Sequence, residues 1–183
     1  MNKISVIQLL SYSIILLFVL SCRRYNTQQP VQDVAEIERL KKEALLRANQ
    51  QLVEEDVSAI EAFAARKGWQ MKTTETGLWY MIYEKGNGKK AATGMTATLE
   101  YSVSLLDSGS TVCYSSALSG PKEFRLGHGG VEAGLEEGVL LMRAGDKARF
   151  ILLPHLAHGL AGDGVCIPRR ATILYDVELV KLR

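Results

Sequence analysis

The spacing of hydrophobic and polar positions changes character twice along this 183-residue chain. It opens with Lys3 as a positive flank and an apolar run, Ile14-Ile15-Leu16-Leu17-Phe18-Val19-Leu20. Gln8, Ser11, Tyr12 and Ser13 interrupt the apolar stretch. Spanning a bilayer takes about 20 mostly apolar residues, so the pattern predicts a secretory signal rather than a membrane anchor. Residues 23–32, RRYNTQQPVQ, are polar with one proline and predict a tether. The stretch from Asp33 to Lys67 holds no Gly or Pro. Val34, Ile37 and Leu40 or Lys41 recur there at helical spacing, as do Val57, Ile60 and Ala64 with Phe63 beside them. Asp33 is placed to cap that helix, with Glu36 three residues on, and Gly68 to end it. Polar Asn49-Gln50-Gln51 leaves open whether this is one helix or two. Its apolar positions need a partner surface, in the chain's own globular domain or in a second copy. The bland alternative is a spacer.

From Gly77 the period falls to two. Leu78 to Tyr83 is rich in aromatic and β-branched residues, and Gly86-Asn87-Gly88 marks a turn. In Met95 to Leu106, Met95, Ala97, Leu99, Tyr101, Val103 and Leu105 share one face, and Thr96, Thr98, Glu100, Ser102 and Ser104 the other. That alternation predicts a strand with one buried face. Short strands follow at Thr111 to Tyr114 and Glu123 to Leu126. Val131 to Met142 returns to helical spacing, with Val131, Leu135, Val139 and Met142 on one side. Lys147 to Leu153 and Ala171 to Lys181 alternate again, the latter through Ile173, Tyr175, Val177 and Leu179. Five or six strands and one short helix predict an α+β layout, an antiparallel sheet packed on a helix behind an N-terminal helical segment. No internal repeat is visible.

Composition changes this picture little. Hydrophobic residues make up 47%, enough for a real core, and 22 basic against 20 acidic side chains give a net charge of +2. That balance argues against bulk electrostatic binding to nucleic acid. Candidate chemistry concentrates in Leu153-Pro154-His155-Leu156-Ala157-His158-Gly159, which holds two of the three histidines. A catalytic zinc site usually takes three protein ligands; only His128 remains to add, so no metal and no cofactor is expected. Cys113 and Cys166 remain beside Cys22. Two thiols in an oxidising compartment form one bridge if they are close in space, and otherwise stay as two small reduced side chains.

Several motifs in one order resemble a known family. They are Gly134-Leu135-Glu136-Glu137-Gly138-Val139-Leu140-Leu141-Met142, Gly145-Asp146-Lys147-Ala148, Pro154-His155-Leu156-Ala157-His158-Gly159, Ile167-Pro168, and Ala171-Thr172-Ile173-Leu174-Tyr175-Asp176-Val177-Glu178-Leu179. With Tyr101, Gly109, Ser115-Ser116 and Phe124 upstream, they resemble an FKBP-type peptidyl-prolyl isomerase domain over 77–183. Val19-Leu20-Ser21-Cys22 resembles a bacterial lipobox. That resemblance implies cleavage before Cys22 and so a signal peptide over 1–21, lipidation of Cys22, and a periplasm-facing protein anchored to a bacterial envelope membrane; the tether then runs over 22–32 and the helical segment over 33–76. With Gly77-Leu78, the arrangement is similar to the gliding-motility-associated isomerase lipoproteins of the family.

The resemblance also implies a proline pocket. Tyr101, Val131, Ile167 and Tyr175 fall on its walls, with Phe124 on the adjoining strand; apart from Ile167, core packing alone would explain them too. Leu135 stands where a tryptophan usually forms the floor, Val112 where a phenylalanine forms a wall, Cys113 where an aspartate is usual, and Lys122 where another aromatic is usual. Glu132 replaces an aliphatic residue that acts mainly through its backbone N–H. Cys166 replaces an aliphatic residue on the last loop. LPHLAHG becomes the loop over the pocket, with His158 in place of a tyrosine that binds the substrate backbone. Both cysteines fall on the pocket rim, so a bridge would pin the loop after His158 to the strand at Val112.

Such a pocket needs no nucleophile and no proton transfer. Resonance gives the peptide C–N bond a rotation barrier of about 18–20 kcal/mol. Apolar walls disfavour the charge-separated planar form and so favour the twisted amide, at tenfold in rate for each ~1.4 kcal/mol. Two functions follow: a membrane-tethered isomerase that speeds folding of exported chains, or a binding module for proline-containing segments or a partner protein. The substitutions at Val112, Cys113, Leu135 and His158 separate them. Residues 33–67 are a candidate homodimer contact.

Overall fold

The computed structural model describes residues 31–107 and 109–183. The expected signal peptide, Cys22 and its lipidation, and nearly all of the expected tether lie outside the described residues. The described chain begins in helix α1, Val31–Lys67, a single helix of 37 residues. The polar middle therefore does not split it, and Asp33 lies in its first turn rather than at its cap. Contacts divide the chain into two compact units, Met1–Gln50 and Gln51–Arg183. In the first unit the described residues are all helical, with Val34, Ile37, Leu40, Leu45 and Leu46 exposed.

The second unit carries the sheet. Its strands are β1 (Lys72–Thr73), β2 (Trp79–Glu84), β3 (Thr96–Leu105), β4 (Val112–Ser115), β5 (Lys122–Arg125), β6 (Lys147–Leu152) and β7 (Ile173–Leu182). The order is β1-β2-β6-β7-β3-β4, with β5 also paired to β3, and each pairing is antiparallel. β4 and β5 share β3, pairing with residues 102–104 and 96–99 respectively. The two-residue β1 is the strand that the hydrophobic pattern did not predict. Lys72 and Thr73 are both exposed and too few to show an alternation.

The predicted helix is α3, Ala133–Leu141; before it comes the one-turn α2, Ser116–Ser119. α3 starts two residues later than its apolar spacing suggests, because Glu132 is extended (φ −60°, ψ 138°) and serves as the N-cap residue. Leu135, Val139 and Met142 are fully buried against Ala97, Leu99 and Val103 of β3, Phe150 and Leu152 of β6, and Tyr175, Val177 and Leu179 of β7. Gly134 and Gly138 let the helix lie close on β6. A Cβ at Gly134 would come within 2.7 Å of Leu152 Cγ, and one at Gly138 within 2.7 Å of Phe150 Cε2.

The opposite face of the sheet is also covered. Ile60 and Phe63, in the part of α1 that belongs to this unit, pack with Ile151, Leu153 and Leu174. Burying such a side chain stabilises by roughly 1.5–3 kcal/mol, so this half of the helix is part of the fold rather than a spacer. Double coverage explains why β6 ends in a continuous buried run, Phe150-Ile151-Leu152, instead of an alternation. Arg170, just before β7, ties down the same helix, donating from Nη2 to Asp56 at 2.8 Å and to the Leu52 carbonyl at 2.7 Å.

Candidate active site

A cleft of about 290 Å³ opens where β3, β4, β5 and β7 meet the segments flanking α3 and the loop after β6. Tyr101, Val103, Tyr114, Lys122, Glu132, His158, Asp163 and Tyr175 line it. Cross-strand pairing sets its aromatic part. Tyr175 on β7 and Tyr114 on β4 are both direct partners of Val103 on β3, so the three side chains share a face. The Tyr101 and Tyr175 rings lie 6.4 Å apart at 41°.

Glu132 is at the polar centre. Tyr175 donates its hydroxyl to Glu132 Oε1 at 2.8 Å. Burial, then the neighbouring Glu132 charge, push the Tyr175 hydroxyl well above the usual tyrosine range, so it stays protonated and donating. His158 Nε2 stands 3.2 Å from the same Oε1, and Lys122 Nζ stands 3.8 Å from Oε2. His158 Nε2 and Glu132 Oε2 are both buried and have no hydrogen-bond partner among the described residues. Unsatisfied buried groups are costly and rare, so these two atoms, each with a charged neighbour but no hydrogen bond, mark the polar side of the cleft.

The loop over the cleft is held by Asp163 and a disulfide. Asp163 Oδ1 accepts the backbone N–H groups of Val165 (2.9 Å), Cys166 (3.0 Å) and Ile167 (2.8 Å), and Oδ2 accepts the Tyr114 hydroxyl. The Tyr114 hydrogen bond first, then the three N–H groups, hold this carboxyl well below the usual carboxylate range. Gly162 allows the loop to double back (φ 72°), since a Cβ there would meet the Ile167 carbonyl at 2.4 Å. Cys113 and Cys166 are bridged, with sulfurs 2.11 Å and Cα atoms 5.6 Å apart. The loop is thereby tied to β4, as the rim positions implied.

The structure sorts the expected site residues. Tyr101, Glu132, His158 and Tyr175 line the cleft. Val112 does not, and its expected place as a wall is corrected. The pairing of β3 with β4 slips between Val103 and Ser104, so that Cys113 is left without a partner. A bulge of one residue turns the following side chain to the other face. Val112 is therefore 59% exposed, and Tyr114 takes the cleft side. Leu135 and Ile167 are buried in the same cluster as Tyr175, which itself lines the cleft. Val131 is half-buried and packs on the same cluster. Glu132 contributes its carboxylate, not only the backbone N–H expected of it. Phe124 is a buried core residue.

Tyr114 and Asp163 are site residues that the sequence reading missed. The signal available was the cysteine pair: the Cys113–Cys166 bridge brings Tyr114, next to Cys113, towards Asp163, three residues before Cys166. The paired histidines separate. His155 Nε2 lies 3.0 Å from the Thr76 carbonyl and so donates to it, while His158 faces Glu132.

The profile of the FKBP-type peptidyl-prolyl cis-trans isomerases matches residues 87–180. The chain belongs to this family. The match spans β3 to β6, most of β7 and every cleft-lining residue. FkpA of Neisseria meningitidis is 39% identical over 119 residues, 65% of this chain and 42% of that protein. FkpA of Escherichia coli is 36% identical over 123 residues, 67% of this chain and 43% of that protein. The chain thus spans less than half the length of these FKBP-type relatives. Among solved structures, that of FkpA from Escherichia coli aligns with 100% of this chain and 83% of its own, at 25% identity and a TM-score of 0.61. The structure of AtFKBP13 aligns with 62% of this chain and 99% of its own, at 27% identity and a TM-score of 0.58. The FKBP fold expected from the motifs is therefore the fold observed.

Proposed function

We propose that this chain catalyses cis-trans isomerisation of X–Pro peptide bonds, working on exported polypeptides from a lipid anchor at Cys22. The observation that carries the reading is the aromatic cleft of Tyr101, Tyr114 and Tyr175 in an FKBP-family domain. The uncatalysed exchange takes tens to hundreds of seconds, and both isomers are populated, so positioning and desolvation suffice for catalysis. In this reading Tyr101, Val103 and Tyr175 shield the twisted amide from water. His158 Nε2, buried beside Glu132 Oε1, takes the part of the donor to a substrate carbonyl. No cofactor enters. The disulfide supports an oxidising compartment such as the periplasm, where such bridges persist. Among the described residues no helix is long and apolar enough to cross a membrane. The exposed apolar residues Val34, Ile37, Leu40, Leu45 and Leu46 support residues 33–67 as a homodimer contact.

One observation favours a second reading, a proline-segment or partner-protein binding module with little catalysis. The cleft holds Glu132, Lys122 and Asp163, and Val112 is 59% exposed rather than a wall. Charged groups solvate the planar amide and blunt the apolar advantage. Exchange NMR on a short X–Pro peptide, with the fragment from Arg24 onward and its His158→Ala variant, tests the choice. Acceleration that falls in the variant supports the isomerase with His158 as donor. Acceleration unchanged in the variant keeps the enzyme and removes that role. No acceleration at high protein concentration leaves the binding module.

A further inference from the structure

Lys122 places a cation in the cleft. It comes from β5, paired opposite Leu99, with its side chain 28% exposed. Its Nζ lies 5.3 Å from the Tyr101 ring centroid and 6.0 Å from that of Tyr175. Both distances fall in the range where a cation is attracted to a ring face. The same Nζ stands 3.8 Å from Glu132 Oε2, whose side chain is only 12% exposed. Two aromatic faces and a buried carboxylate are the parts of a site for an organic cation.

That site is incompletely filled. At 3.8 Å the ammonium makes no hydrogen bond to Oε2, and this oxygen has no partner among the described residues. The other carboxylate of the cleft is not in the same position. Asp163 already accepts the Tyr114 hydroxyl and three backbone N–H groups. Glu132 is thus the acceptor with capacity left, and Lys122 holds its place on a long, flexible stem.

Resting on the proline-segment reading of this cleft, we infer that it selects segments with a lysine or arginine next to the proline. The ligand's cation takes the place of Lys122 between Tyr101, Tyr175 and Glu132. Exchanging one cation for another buries no new net charge, so the cost that opposes burying a lone ammonium does not arise. An uncharged aliphatic neighbour of the proline would displace Lys122 without replacing its charge, leaving Glu132 with the Tyr175 hydroxyl and His158 at Oε1 but no cation near Oε2.

The test uses two tetrapeptides, Ala-Lys-Pro-Phe and Ala-Leu-Pro-Phe, titrated by NMR into the wild-type protein, Lys122→Ala and Glu132→Gln, with exchange rates read on the same samples. The wild type is expected to bind the lysine peptide more tightly than the leucine peptide. Lys122→Ala removes the competitor and raises affinity for the lysine peptide about tenfold, with a smaller change for the leucine peptide. Glu132→Gln keeps an acceptor for Tyr175 but removes the charge, and brings the ratio of the two affinities close to one. Added salt weakens the lysine preference in the wild type. A ratio that Lys122→Ala leaves unchanged overturns the inference, whether or not Glu132→Gln folds. Preferential binding of the lysine peptide without faster exchange keeps it and removes the isomerase reading. Faster exchange with equal affinities in all forms does the reverse, and no binding of either peptide to any form removes both.

Discussion

Removing the Cys113–Cys166 bridge should loosen the cleft loop and lower global stability together. The bridge joins residues 53 apart in sequence. In the chain-entropy account a closed loop of that size is worth about 4 kcal/mol, and residual structure in the unfolded chain brings typical values to about 2–4 kcal/mol. The compact unit Gln51–Arg183 that contains it has an unfolding entropy of about 0.3 kcal/mol/K, taken at ~2 cal/mol/K per residue. The double variant Cys113→Ala/Cys166→Ala should therefore melt about 7–14 °C below the wild type in calorimetry. Dithiothreitol should lower the wild type by a similar amount and leave the variant unchanged. The local signature is amide exchange at Val165, Cys166 and Ile167, whose N–H groups bond to Asp163 Oδ1. Their protection should fall by more than that of the β3 and β7 amides, because the loop loses its tie to β4 while the sheet keeps its ladder. A melting point within about 2 °C of wild type, with those three amides equally protected, would refute the reasoning. It would mean that the Asp163 network alone holds the loop.

Two further outcomes follow from the packing and the charge of the site. Gly138→Ala should destabilise by about 1–2 kcal/mol in urea unfolding, since overpacking against Phe150 at 2.7 Å outweighs the ~1 kcal/mol gain in helix propensity; a more stable variant would show that α3 can lift off β6 freely. Asp163 has a folded-state pKa below its unfolded value near ~3.9, so its stabilisation is fully present above that value and is lost as pH falls through the folded one. The urea midpoint should thus decline less from pH 6 to about 3 in Asp163→Asn than in wild type, and parallel declines in the two proteins would count against the Tyr114–Asp163 link.

The legible and illegible parts of this protein divide by the range of the interactions behind them. The alternation of Met95 to Leu105 and of Ile173 to Leu179 was read directly, because facing in or out is set residue by residue along one strand. Tyr101 and Tyr175 were located for the same reason, reinforced by the spaced motifs of the family. Ile60 and Phe63 were marked as apolar positions at helical spacing, but their partner was not, since Ile151 and Leu174 lie about a hundred residues away in sequence. β1 was missed because two exposed residues carry no period.

By itself, then, the sequence determined six of the seven strands, the short helix, the family and the placing of Tyr101 and Tyr175, all of which follow from local periodicity or from motifs in fixed order. Tertiary structure alone decided which side chains the cleft receives. A bulge at Cys113, legible only from the pairing of β3 with β4, turned Val112 to solvent while Tyr114 stays opposite Val103 on the cleft side. Close approach of α3 to β6 gave two helix glycines their purpose, and the disulfide carried Asp163 onto Tyr114. Glu132 became the polar centre because Tyr175, His158 and Lys122, from three separate segments, converge on one carboxylate. Convergence of that kind depends on register and long-range contact, and neither is written in the spacing of residues along one segment.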